Sequence, residues 1–231
     1  MTFDKLIIGS IARFNHAKKT LKDLAPIWFE QSNKIVFKSV SNDPDEAHTP
    51  ELPEDNINMP LLAGDIFHSL RCSLEYIYRA LYIIKIGSPP DKLQFPSSRK
   101  GIDGKLKEEL KALFDRHEHT IAILAAANNQ DKHRLLLFAV AKLEPMGVET
   151  VDGKLTVVSK ATSREWKDAT EPQQFNLGQI VRPRYVLVIE KHLDQPEISL
   201  SINDLQELIE DLRICLETIR GWIIGTNAHA R

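Results

Sequence analysis

One long apolar stripe constrains the fold of this chain more than any other feature. Between residues 61 and 86, large aliphatic residues recur every three or four positions, the spacing that places side chains on one face of an α-helix. Gly87, Pro89 and Pro90 follow, and residues of these types end helices. The segment therefore predicts a long helix that other elements must cover. The stripe consists of Leu62, Ile66, Leu70, Leu74, Ile77, Leu81 and Ile84.

Four further stretches carry the helical period, which predicts about five helices in all. Pro26 is expected to kink or break the first of them near its end, because proline cannot donate the helical hydrogen bond. Ser201 or Asn203 is expected to cap the last helix. The predicted spans of these four helices are about 6–31, 103–117, 119–137 and 201–225.

Shorter stretches show the alternation of β-strands. The strongest signal is an Asp152–Gly153 turn between two β-prone runs, which predicts a hairpin over about 148–158. Strands are also predicted at 34–40 and 184–190, whereas 41–60 has the composition of a loop. We therefore expect one α+β domain over residues 1–231, a helical bundle with a small antiparallel β-meander packed on it.

Composition narrows the class of protein. The formal net charge of -2 gives no overall attraction to nucleic acid, so any such binding must come from a local basic patch. No run of 18 uncharged apolar residues predicts a membrane span, and the N-terminal stretch lacks the pattern of a secretory signal. Cys72 and Cys215 lie in apolar helices and are expected to be buried thiols. We expect a cytoplasmic protein without a cofactor or membrane partner.

Two polar clusters interrupt apolar helices, and they are the candidate site. In the first, Asp65, His68, Cys72 and Glu75 fall on one helix face, with Arg71 beside them. The second lies between alanines 125–127 and leucines 135–137, and buried charges must find partners. We therefore expect the clusters to face each other, with Asp65 and Glu75 meeting a cation of the second. The second cluster contains Asn128, Asn129, Asp131, Lys132, His133 and Arg134.

Two interpretations of these clusters stay open. They can form a structural network that fixes how two helices cross, or an acid–base site. A histidine transfers protons near neutral pH, while arginine or lysine stabilises negative charge developing on a phosphate. Cleavage of RNA needs no metal when the ribose 2′-hydroxyl is the nucleophile. A metal site is disfavoured, because Lys132, Arg134 and Arg71 would repel a divalent cation.

The motifs G-D-x-x-H-x-L-R at 64–71 and N-N-x-D-K-H-R at 128–134 resemble those of a widespread family of uncharacterised bacterial proteins. The first is also distantly similar to the HEPN helical ribonucleases of toxin–antitoxin and defence systems. Those carry an arginine and a histidine four to six residues apart on one helix. This chain departs from that pattern, because Tyr76 stands where the motif after Arg71 has histidine.

The resemblance implies a metal-independent, HEPN-like ribonuclease or toxin-type effector that acts on RNA. In that role Arg71 would stabilise the phosphate and His68 or His133 would transfer protons, with the other cluster residues orienting them. The alternative is a non-catalytic helical protein that binds a partner or small ligand, in which the clusters are structural. Either function is compatible with a homodimer in which the Leu-rich helices 61–86 and 203–223 pair across a two-fold axis.

Overall fold

The computed structural model of the chain describes residues 3–34, 36–39, 48–51, 56–90, 93–102, 104–133, 138–151, 154–160, 180–189 and 198–229. Over these residues the protein is mostly helical and carries two small antiparallel sheets. The helices are α1 (Phe3–Asn33), α2 (Asn58–Ile86), α3 (Lys107–His133) and α4 (Ile202–His229), with 3-10 turns at Arg99–Gly101 and Gly104–Leu106. The strands are β1 (Val36–Ser39), β2 (His48–Glu51), β3 (Phe138–Val151), β4 (Lys154–Lys160), β5 (Ile180–Ile189) and β6 (Ile198–Leu200).

Helices α1 and α2 form the central antiparallel pair. The hydroxyl of Ser10 donates to the carbonyl of Ser73 at 2.9 Å, and His16 contacts Asp65. Residue numbers thus rise on one helix as they fall on the other. Pro26 does not break α1, which continues to Asn33. Of the expected kink or break, the break is absent, and buried Leu24 and Trp28 on either side of the proline hold the helix to the core.

The predicted helices 103–117 and 119–137 form the single helix α3, so the described residues contain four helices instead of about five. The boundary between the two predicted segments survives as a kink, because His117 has non-helical φ and ψ of -125° and 17°. Thr120 and Ile121 remain buried beyond the kink, so the second half keeps packing on the core. Packing on both sides of residue 117 explains why one bent helix replaces two.

The larger sheet has the strand order β4-β3-β5-β6 with every neighbouring pair antiparallel. Val151 pairs with Lys154, as the predicted hairpin requires, and the turn residues 152–153 lie outside the described part of the chain. The order is not that of a simple meander, because β5 returns to pair with β3 instead of β4. A second correction concerns the predicted loop 41–60, in which His48–Glu51 pairs with β1 as β2 and α2 begins at Asn58.

Helix α4 starts directly after the sheet. The hydroxyl of Ser201 accepts from the Asp204 backbone N–H at 3.2 Å, and the Asp204 carboxylate accepts from the Ser201 N–H at 2.6 Å. This reciprocal arrangement is a capping box with Asp at its third helical position, and it identifies Ser201, not Asn203, as the cap. It satisfies two backbone groups that would otherwise lack partners at the start of α4.

The ends of the helices show how they run relative to the sheet. Residue 138, just after α3, pairs with Val188, which pairs with Ser199 just before α4. Helix α3 therefore ends at the sheet, and α4 leaves from it. A 3.2 Å ion pair joins Lys85, at the far end of α2, to Glu109 near the start of α3. Helix α2 thus runs away from the sheet, α1 runs toward it, and α1 is antiparallel to α4.

One continuous hydrophobic core joins the four helices to the larger sheet. The α2 stripe packs into this core, with Ile66, Leu70, Leu74 and Leu81 at 0% exposure and Leu62 and Ile84 at its ends partly buried. Leu187 and Ile189 of β5 belong to the same core, so the sheet packs on the bundle as predicted. Among the described residues, no helix is both long and apolar enough to cross a lipid bilayer.

Candidate functional site

Helix α2 is buried on nearly all sides, and one partly exposed stripe runs along it. Asp65, His68, Cys72 and Glu75 all lie on this stripe, as their spacing predicts, and the first three have buried neighbours on both sides in sequence. Arg71 does not share the stripe, because only about 10% of its side chain is exposed. The first polar cluster therefore divides into an accessible part and a buried part.

The buried part binds Phe95, in the connector between α2 and α3. The Arg71 guanidinium donates through Nη2 to the Glu75 carboxylate at 2.8 Å and to the backbone carbonyl of Phe95. The other oxygen of Glu75 accepts from the Phe95 backbone N–H at 2.6 Å. Arg71 and Glu75 thus hold both backbone polar groups of one residue, and we call this arrangement the Arg71 clamp.

Aromatic packing completes the clamp. The ring of Phe95 lies edge-on to Tyr78 at 5.3 Å between centroids and stacks on Phe114 of α3 at 6.1 Å. The Arg71 guanidinium lies 5.8 Å from the Phe95 centroid, within the range of a cation–π contact. Arg71 Nη1 is buried without a hydrogen-bond partner among the described residues. The predicted phosphate-stabilising arginine is therefore enclosed in the core and joined to a connector.

The accessible part lies between α1 and α2. His16 Nε2 donates to Asp65 Oδ2 at 2.8 Å, and the Thr20 hydroxyl donates to the same oxygen at 3.4 Å. His16 and Asp65 keep 49% and 43% of their side chains exposed, so the pair is open to solvent. A carboxylate on one ring nitrogen fixes the tautomer and the orientation of an imidazole. Asp65 thus contacts a histidine of α1 that the sequence analysis did not single out.

A second imidazole stands one helical turn from this pair. His68 follows Asp65 by three residues on the same stripe, and its Nε2 lies 3.5 Å from the Cys72 sulfur. Helix α1 contributes Arg13 to the same side, because it precedes His16 by one turn and is partly exposed. We call this group the α1–α2 seam, defined by Arg13, His16, Asp65, His68 and Cys72.

The closeness of the two helices at the seam depends on a glycine. A Cβ at Gly9 would lie 2.9 Å from Cδ2 of Tyr76. Tyr76, which stands where the HEPN pattern has histidine, is thus a packing residue between the two helices. Its ring fixes the distance across the seam, since α1 rests against it at Gly9.

The second polar cluster is described only at its first residue. Asn128 is buried, and its Oδ1 has no hydrogen-bond partner among the described residues. Helices α2 and α3, which contain the first and the second cluster, contact each other. Direct contact of Asp65 or Glu75 with the second cluster stays a prediction. The side chains of Asn129, Asp131, Lys132 and His133, and the whole of Arg134, lie outside the described part of the chain.

A third polar group lies at the α3 kink, and sequence reasoning missed it. His117 Nδ1 donates to Asp211 Oδ1 of α4 at 2.9 Å, and the Thr120 hydroxyl donates to Asp211 Oδ2 at 2.5 Å. His117 is 5% exposed, so it lies in the interior of the bundle and not on its surface. The contact joins two helices that are 94 residues apart in sequence, which no local pattern could indicate.

The cysteines differ in accessibility. Both are present as thiols, and Cys215 is buried as predicted, whereas Cys72 is partly exposed on the seam. Burial, followed by the charge of Asp211 one turn earlier, raises the pKa of the Cys215 thiol to about 12. Cys215 is therefore an unreactive core thiol near neutral pH, and Cys72 is the accessible one.

Comparison with known proteins adds no relative. No protein-family model, curated protein or solved structure matches this chain.

Within the described part of the chain, no group of three or more His, Cys, Asp and Glu side chains is arranged to hold a metal ion. The site must therefore be interpreted from its own geometry.

Proposed function

We propose that this chain is a metal-independent ribonuclease whose acid–base groups lie in the α1–α2 seam. The observation that carries the proposal is the exposed His16–Asp65 pair with a second imidazole, His68, one turn away. Two imidazoles on neighbouring helices, one of them held by a carboxylate, can provide the base and the acid that cleavage of a phosphodiester needs. This proposal keeps the HEPN-like activity implied by the motif but moves the chemistry away from Arg71.

The proposed roles follow from the contacts. Asp65 holds the proton on His16 Nε2, which leaves Nδ1 of His16 to take the proton of the ribose 2′-hydroxyl. The O2′–P bond forms as the P–O5′ bond breaks, and His68 gives a proton to the leaving O5′. The product carries a 2′,3′-cyclic phosphate. Arg13 supplies positive charge for the phosphate oxygens, the role first assigned to Arg71.

The test is an assay of the purified full chain against mixed single-stranded and structured RNA in the presence of EDTA. We expect cleavage to persist, and His16→Ala and His68→Ala each to lower turnover by on the order of 10²-fold or more. The exposed histidine His119 serves as the matched control, since His119→Ala should leave turnover unchanged. His133→Ala belongs in the panel, because its predicted proton-transfer role stays open. Circular dichroism of each variant separates lost folding from lost catalysis.

A second candidate function is a non-catalytic protein that binds a partner in the cytoplasm. The Arg71 clamp favours it, because the most conspicuous cation and carboxylate of the motif are committed to holding the chain together. Absence of cleavage by the wild type, or cleavage that neither His16→Ala nor His68→Ala lowers, would support this candidate and overturn the ribonuclease.

A further inference from the structure

The outer sides of α1 and α4 form one exposed surface, which we call the α1/α4 face. On α1 it comprises Ile8, Ile11, Asn15, Lys18 and Lys22, all exposed and spaced three or four residues apart. On α4 it comprises Glu207, Glu210, Ile214, Glu217, Gly221 and Ile224, again all exposed at the helical spacing. The two helices contact each other and run in opposite directions.

The position of Lys18 shows which sides of the two helices meet. Arg213, and to a smaller extent Lys18, lower the pKa of the Glu210 carboxyl, so Lys18 of α1 lies near Glu210 of α4. Because the helices are antiparallel, the residues before Lys18 lie beside the residues after Glu210. Ile8 and Ile11 therefore lie at the same end of the face as Gly221 and Ile224, and Lys22 lies at the same end as Glu207.

The face thus has a charged end and a mixed end, at which exposed isoleucines stand beside Glu217. Large aliphatic side chains are unusually exposed at the mixed end, with Ile8 at 66% and Ile224 at 59%. Adjoining exposed apolar residues with a polar rim are typical of interaction surfaces. At the charged end, the lysines belong to α1 and the glutamates to α4. Arg213 pairs with Glu210 and Glu217 at 2.6 Å each and offsets only part of the negative charge of α4.

We propose that a second copy of this chain binds the α1/α4 face, with the two-fold axis parallel to the helices. Rotation about such an axis places α1 opposite the partner's α4 and keeps each level of the bundle in register. Lysine then meets glutamate at the charged end in both halves of the interface at once, while at the other end Ile8 lies against Gly221 and Ile11 lies beside Glu217. An axis perpendicular to the helices would place α1 against itself with its lysines opposite isoleucines. Complementarity of charge therefore selects both the partner and the axis.

This arrangement replaces the dimer expected from the sequence. The apolar stripe of α2 is enclosed within its own chain and cannot pair with a second copy, whereas α1 and α4 have free outer sides. Helices of 31 and 28 residues are about 46 and 42 Å long, enough to form an interface of ordinary size. The proposal does not depend on whether the seam is catalytic.

The test is the mass of the full chain in solution, measured by sedimentation or by light scattering across a concentration series. We expect a dimer that weakens with added salt, since charges near a surface are screened. Ile8→Glu should give a monomer with an unchanged circular dichroism spectrum. Ile57→Glu is the matched control, because Ile57 is 61% exposed but lies at the start of α2, and that variant should stay dimeric.

A charge exchange tests the pairing itself. Lys22→Glu should raise the dissociation constant of the dimer by about tenfold or more, because the new carboxylate would face a glutamate in each half of the interface. Adding Glu207→Lys to that variant should restore the affinity. The proposal would be overturned if the wild type were monomeric at about 100 μM or if the Ile8→Glu variant stayed dimeric. It would also be overturned if adding Glu207→Lys to Lys22→Glu did not restore the affinity of the dimer.

Discussion

The side chains of the G-D-x-x-H-x-L-R motif perform two separate tasks. Spacing alone places Asp65, His68, Cys72 and Glu75 on one stripe, because the helical period fixes which positions share a face. Spacing could not indicate that Glu75 binds the Phe95 backbone while Asp65 binds His16 of α1. Both partners lie at least 20 residues away in sequence. His16 was missed for this reason. Alone in α1 it is an ordinary exposed histidine, and only helix pairing gives it a carboxylate.

The Arg71 clamp leads to a prediction about stability. Arg71→Ala should lower the free energy of unfolding by about 3 kcal/mol, because a mostly buried Glu75 carboxylate and the Phe95 carbonyl would lose a charged partner. Glu118→Ala should change it by less than about 1 kcal/mol, since the pair of Glu118 with Arg99 is exposed. Chemical denaturation of both variants measures the difference. Equal effects would show that Arg71 does not secure the connector.

At the level of elements, local signals gave the existence of helices and strands but not their continuity. Pro26 predicts a kink or break and a helix boundary is predicted at 117–119, yet α1 continues to Asn33 and α3 continues beyond a kink at His117. In each case buried residues on both sides hold the helix against the core, and this packing outweighs the local preference. The Asp152–Gly153 signal and the Ser201 cap needed no distant contact, and the elements that they predict are present.

The α1–α2 contact leads to a prediction at this scale. Alanine normally favours a helix over glycine by about 1 kcal/mol. At Gly9 we expect the opposite sign, a loss of about 1–2 kcal/mol, because the new methyl group would overlap the Tyr76 ring. Gly225→Ala is the control, since a Cβ there meets nothing within 4 Å, and it should stabilise the protein. Thermal and chemical unfolding measure both variants, and stabilisation by Gly9→Ala would contradict the described packing.

For the whole molecule, the sequence predicted a helical bundle with a small antiparallel sheet, and the described residues have that architecture. The strand order β4-β3-β5-β6 was not predictable, because even the nearest partners of β3 and β5, Met146 and Ile180, are 34 residues apart and no local pattern joins them. The same limit applies to the site. Burial of Arg71 depends on where the connector folds back onto α2 and α3, and only the assembled molecule decides that.

The dependence of RNA cleavage on pH tests the central claim most directly, namely that two imidazoles in the α1–α2 seam carry the chemistry. With EDTA present, the wild type should give a bell-shaped profile, because catalysis needs one group as a base and one as an acid. His16→Ala and His68→Ala should each remove one limb as well as lower the rate, while His119→Ala should keep the full bell. No cleavage by the wild type, or a bell that survives both seam substitutions, would contradict the assignment.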